Sequence, residues 1–117
     1  MRGAGNNFLL SNSNILNINS PTRNVTGPYA VVHTDQNDRW AIVALDWDND
    51  PRLGIRWFWS KGGNPISSGH ATWLIIPPLL SQSVLSNLPI VNQLANHVSD
   101  FLCGKISGEE LRKLSPP

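Results

Sequence analysis

The stretch from Arg39 to Pro77, read as RWAIVALDWDND (39–50), PRLGIRWFWS (51–60), KGGNPISSG (61–69) and HATWLIIP (70–77), decides the fold. β-Branched and aromatic residues fill three short runs, Arg39 to Trp47, Leu53 to Trp59 and His70 to Ile76. Asp48-Asn49-Asp50-Pro51 and a Gly/Pro/Ser interval separate them, both turn-forming compositions. Three consecutive antiparallel strands are expected, and they hold all five tryptophans, Trp40, Trp47, Trp57, Trp59 and Trp73.

Directly opposed residues on neighbouring antiparallel strands share a face, so a hairpin register assigns every side chain. A turn centred on Asn49 sets Asp46 against Arg52, Ile42 against Arg56 and Trp40 against Phe58. The other face then collects Ala41, Val43, Leu45 and Trp47 with Leu53, Ile55, Trp57 and Trp59, and the same parity adds Tyr29, Val31, Ala71, Trp73 and Ile75. That face is wholly apolar. The second face carries Trp40, Ile42, Phe58, Leu74 and Ile76 among Arg52, Arg56 and Asp46. A sheet face left to water is mostly polar, so this one calls for a cover: the N-terminal arm, a second subunit or a ligand. Aromatic residues interleaved with arginine are the composition of interface hot spots.

Upstream of this stretch, YAVVHT (29–34) makes a further strand between Gly27-Pro28 and the turn-forming DQND (35–38). Before it, NNFLLSNSNILNINS (6–20) is too apolar for a disordered tail of ordinary composition. Phe8 to Leu10 and Ile15 to Ile18 are candidates to dock on the domain, against the alternative of a free polar tail. Downstream, Pro77-Pro78 ends the last strand, and Leu80, Val84 and Leu88 set the face of a helix over 79–88. Pro89 suits the first position of a second helix, with Ile90, Leu94, Val98, Phe101 and Leu102 as its stripe and Gly104 as its stop. Ser107 and Glu110 have capping-box spacing for a last short helix, closed by Pro116-Pro117. The expected fold is therefore α+β, an antiparallel meander of about four strands followed by two to three C-terminal helices packed on one face. Residues 1–27 form an Asn/Ser-rich arm or edge strand, and residues 28–117 a single domain.

At 117 residues, one core is expected. Charged residues are only 15% of the chain and the net charge is +1, which leaves no basic footprint for nucleic acid. No Asp, Glu, Lys or Arg lies between Lys61 and Asp100, a depletion typical of interface cores. Apolar runs are shorter than a membrane span and no basic, apolar leader opens the chain, so a cytoplasmic location is expected and membrane association is not. The sequon Asn24-Val25-Thr26 carries no weight without a secretory leader. Cys103, the single cysteine, reads as a small buried hydrophobe.

Motifs with chemistry are weak. Asp46, Asp48 and Asp50 begin like a calcium loop, but Pro51 stands where glycine is required and Trp57 where the bidentate Glu belongs. They read as turn caps, with an Asp46–Arg52 cross-strand pair. His33, His70 and His97 lack zinc spacing, KGGNP is no phosphate loop, and no G-x-S-x-G elbow occurs. No metal and no cofactor is expected. The favoured reading is a small non-enzymatic binding protein that self-associates as a symmetric dimer and presents Trp40, Ile42, Arg52, Arg56, Phe58 and Leu74 to a protein or small apolar ligand. The alternative is a small enzyme using His70 with Asp46 or Asp48 as acid/base groups in a pocket at one end of the sheet.

Overall fold

The structure, a computed structural model, describes residues 10–59 and 62–115. The main sheet contains β1 (Val25–Asp35), β2 (Trp40–Trp47), β3 (Asp50–Trp57) and β6 (Leu74–Ile76), all antiparallel in the order β1-β2-β3-β6. A separate small hairpin, β4 (Ile66–Ser67) and β5 (His70–Ala71), interrupts the path from β3 to β6, so the expected strand over 70–76 is split in two. Helix α1 (Asn12–Leu16) precedes the sheet, and α2 (Pro78–Ser86), α3 (Asn92–Leu102) and α4 (Gly108–Leu114) follow it. The α+β meander with C-terminal helices is the fold formed.

The register differs from the sequence expectation by one residue. Trp47 pairs with Asp50, and Asp48 and Asn49 alone make the turn, at φ of 51° and 69°. Asp and Asn are the non-glycine residues that best tolerate this left-handed region, which a tight two-residue hairpin requires at both positions. Pro51 is thereby drawn into β3 opposite Asp46. The closing pair exchanges the ladder hydrogen bonds and the next pair does not, so the N–H that Pro51 lacks would have pointed away from β2, toward ground that β6 reaches only from Leu53 onward.

A one-residue shift moves each side chain of a strand to the other face. Leu53 and Ile55 accordingly lie with Ile42 and Ala44, and Arg52, Gly54 and Arg56 lie with Leu45, Val43 and Ala41. Both faces of the sheet are covered. Under the helices, Ile42, Ala44, Leu53 and Ile76 pack with Leu85, Val98, Phe101 and Leu111. On the opposite face, Ala41, Val43, Leu45 and Trp73 pack with Leu10, Ile15 and Val25, and with Ile18 at the margin. Trp47 also packs on this arm side, Trp40 packs on the helix side, and Trp59 lies past the end of β3, 47% exposed. In β1, the ladder irregularity between Thr26 and Ala30 puts Tyr29 on the helix side although Val31, two residues on, is on the arm side; a second lies between Val31 and His33.

The arm docks, with Ser11 capping α1 through a bond from the Asn14 amide. Gln36 clamps the backbone of Leu10 with two bonds of 3.0 Å, and the Trp73 indole donates to the Ile18 carbonyl at 2.7 Å. Phe8 and Leu9, also expected to dock, lie outside the described residues, as do Lys61 and Pro116-Pro117. Among the helices, the Ser107–Glu110 capping box forms with both of its bonds. α3 begins at Asn92, with Val91 in the N-cap position, so Pro89 lies in the connection and does not open the helix. α2 turns Ser81 and Leu85 inward; of the expected Leu80, Val84 and Leu88 face, Val84 and Leu88 pack against the core and Leu80 is left half-exposed.

Candidate functional site

The aromatic and arginine face expected from parity is divided between the two sides of the sheet. Trp40 and Ile42 pack under the helices, and Leu74 shares that side through its pairing with Ile55. Arg52, opposite Leu45, Arg56, opposite Ala41, and Phe58, edge-on to Trp73, belong to the arm side. These six residues do not form one surface. The cover that the sequence left open among arm, subunit and ligand is, on this side, the arm.

Arg56 is 1% exposed, the most deeply buried charged residue described. Its guanidinium donates from Nη1 to the carbonyls of Pro65 (2.9 Å) and Thr72 (2.6 Å) and from Nη2 to that of Gly62 (2.6 Å), and it lies 5.0 Å from the Phe58 ring centre. Nε has no partner, no carboxylate pairs with the group among the described residues, and burial lowers its pKa. The planar fork of arginine reaches three carbonyls at once, so it fastens the loop and the β4–β5 hairpin to β3. Gly63 permits this. At φ of 69° it sits where a Cβ would collide with the Trp57 carbonyl and the Arg56 guanidinium.

The three acids of the β2–β3 turn diverge. Asp46 accepts from the Tyr29 hydroxyl at 2.7 Å, Asp48 accepts from the Asn24 amide at 2.6 Å, and Asp50 pairs with Arg52 at 3.6 Å. The expected Asp46–Arg52 pair does not form, because the register places Arg52 opposite Leu45. No group of three His, Cys, Asp or Glu side chains among the described residues is arranged to hold a metal ion. His70 is in the β4–β5 hairpin and lines an open cleft of about 350 Å³ with Ser20, Pro21, Thr22, Arg23, Ser67 and Ser68. Neither Asp46 nor Asp48 borders that cleft, so the proposed acid/base pairing is not assembled.

Two smaller clefts lie on the helix layer. One, of about 230 Å³, runs between Pro51, Arg52, Pro78, Ser81, Gln82, Leu102 and Cys103. Cys103 is exposed, correcting the buried reading: it is the C-cap of α3, where the helix stripe has already turned past the core. The other, of about 220 Å³, is bordered by Val91, Gln93, Leu94, His97 and Leu114.

The uncharged interval of the sequence becomes β4, β5, β6, α2 and most of α3. Five of the seven large apolar side chains exposed among the described residues, Ile66, Leu74, Leu79, Leu80 and Val91, fall in it; the other two are Trp59 and Leu114. Leu79 is 90% exposed. β6 is an edge of the main sheet, paired only with β3. This is the signal that sequence reasoning registered as missing charge but could not place on a surface.

The fold and its surface define a small α+β domain whose sheet is closed on both faces, with an apolar, uncharged border. No protein-family model, no curated protein and no solved structure matches the chain. Among the described residues, no helix is long and apolar enough to cross a membrane.

Proposed function

We propose that this protein is a non-enzymatic interaction module that self-associates as a symmetric dimer through the β6–α2 border. The observation that carries the reading is the concentration of exposed Leu74, Leu79 and Leu80 beside an unpaired sheet edge, in a stretch of sequence without a charged residue. Edge strands left open in monomers are commonly guarded by Lys, Pro or inward charges, and β6 has no charge. Pairing of the edge with its own copy across a two-fold axis is self-complementary and needs no opposite charge, and β6 and α2 themselves carry none. A standard interface takes roughly 800 Å² from each partner, about a tenth of this molecule's surface of 7049 Å². The free thiol of Cys103 fits a reducing, cytoplasmic setting.

Of the six residues expected at the interface, Leu74 stays in it; Trp40, Ile42, Arg56 and Phe58 are packed within the chain, and Leu79 and Leu80 join Leu74 in place of them and of Arg52. Leu79→Glu and Leu74→Lys each place a charge at the border without touching either core. The expected outcome is a monomer with an unchanged far-ultraviolet spectrum. A dimer that survives both substitutions places the contact elsewhere.

A further inference from the structure

We propose that the cleft between the 20–23 turn and the β4–β5 hairpin binds the phosphate group of a small phosphate monoester. Every side chain that borders it, apart from Pro21, is a hydrogen-bond donor: Arg23, His70 and the hydroxyls of Ser20, Thr22, Ser67 and Ser68. None is a carboxylate. Arg23 and His70 make no side-chain hydrogen bond or ion pair with another described residue, so their donors are available to a ligand.

The hairpin presents this set. Ser68 and Gly69 turn at φ of 50° and 80°, which brings Ser67 directly opposite His70 and aims both to one face. The opposite wall is fixed from below. Thr72 donates its hydroxyl to the Ser20 carbonyl at 2.7 Å, and the Thr72 carbonyl accepts from Arg56 at 2.6 Å. The buried Arg56 cation therefore stands two hydrogen bonds behind the cleft wall, with no carboxylate paired to cancel its field. A cleft with donors in front and an uncompensated cation behind selects an oxyanion, and phosphate is the common one with enough acceptor oxygens to use donors from two loops. At about 350 Å³ the space is at the small end of ligand sites, and a net charge of +1 offers no track for a polyphosphate chain. A free monoester, carrying one phosphate and a short polar body, fits both limits.

The test is a titration of the ¹⁵N-labelled full chain with glycerol 3-phosphate, inorganic phosphate and acetate at matched ionic strength. Expected are saturable shifts confined to residues 20–23 and 67–70, with the monoester bound about tenfold more tightly than acetate. Arg23→Gln and His70→Gln should each weaken binding by about tenfold, while Lys105→Gln, a surface cation outside the cleft, should not change it. The same spectra report whether each variant is folded. Absence of saturation, equal response to acetate, or binding indifferent to Arg23→Gln and His70→Gln overturns the site. Tighter capture of a phosphoserine peptide than of glycerol 3-phosphate overturns the small-molecule assignment.

Discussion

Arg56 is held by geometry that lysine cannot reproduce, because three carbonyls from two segments converge on a planar fork. Arg56→Lys should lower stability by about 1–3 kcal/mol through the carbonyls it leaves unpaired. Hydrogen exchange at the Thr72 amide, which bonds to the Pro65 carbonyl at 3.2 Å, should quicken in the same variant. Unchanged exchange there would mean that the hairpin is held by other contacts. From sequence, Arg56 read as a contact residue of the second sheet face, because an unpaired charge is seldom buried and nothing local marks a set of backbone acceptors.

Tyr29, the sole tyrosine, offers a second test at this scale. Its ring is edge-on to Phe101 and under Arg112, at the place where Gly108 opens α4 without a Cβ to obstruct it. Burial raises its pKa far above the usual range; the hydrogen bond and charge of Asp46 and the charge of Glu109 add to this, and Arg112 opposes it. An acid that holds its proton more tightly when folded contributes stability that is intact below the unfolded value of about 10 and is lost as pH rises toward the folded one. Tyr29→Phe should cost about 1–3 kcal/mol in urea unfolding near neutral pH. It should also flatten the decline of stability between about pH 9 and pH 11 relative to the parent chain. An identical alkaline decline in both proteins would remove Tyr29 from the account.

At the scale of elements, the docked arm makes the sharpest prediction. Ile15 is fully buried against Ala41, Val43, Leu45 and Trp73, and Ile15→Ala should cost about 2–5 kcal/mol. Denaturant unfolding followed by tryptophan fluorescence measures it; a cost below ~1 kcal/mol would mean that the arm adds little to the core. What was legible here was local. The Ser107–Glu110 box is four residues long and carries its own partners, and Leu94, Val98, Phe101 and Leu102 of α3 meet the core as their spacing required, with Ile90 joining them from the connection before the helix. The β2–β3 register was not legible, because β2 is apolar at both parities and so does not discriminate between faces. Pairing like with like gave an apolar face, but the chain buries both. The two-residue Asp48-Asn49 turn decides between them, and its preference depends on backbone twist more than on hydrophobicity. Arm docking was equally hidden, since its fasteners join Leu10 to Gln36 and Ile18 to Trp73 across long separations in sequence.

For the whole molecule, three layers leave little of the sheet to work with. The arm takes one face and the helices the other, so the tryptophan-rich meander is mainly a core and its border is the part left exposed. That border is apolar and uncharged along β6 and α2, while the donor-lined cleft lies beyond the β4–β5 hairpin. The two surfaces differ in chemistry, and each can be disabled without the other: Leu79→Glu should leave the cleft intact, and Arg23→Gln should leave the association state intact. The missing charge between Lys61 and Asp100 was readable in the sequence as a sign of contact. Its position was not: the register expected from parity grouped Leu74 with Trp40 and Phe58, which pack within the chain, and left out Leu79 and Leu80.

Sedimentation equilibrium over a range of concentrations tests the central claim most directly, run on the parent chain and on Leu79→Glu side by side. The parent should approach twice the mass of one chain at concentrations of about 10–100 μM, and the variant should remain at one. A parent protein that sediments as a single chain throughout that range would contradict the account.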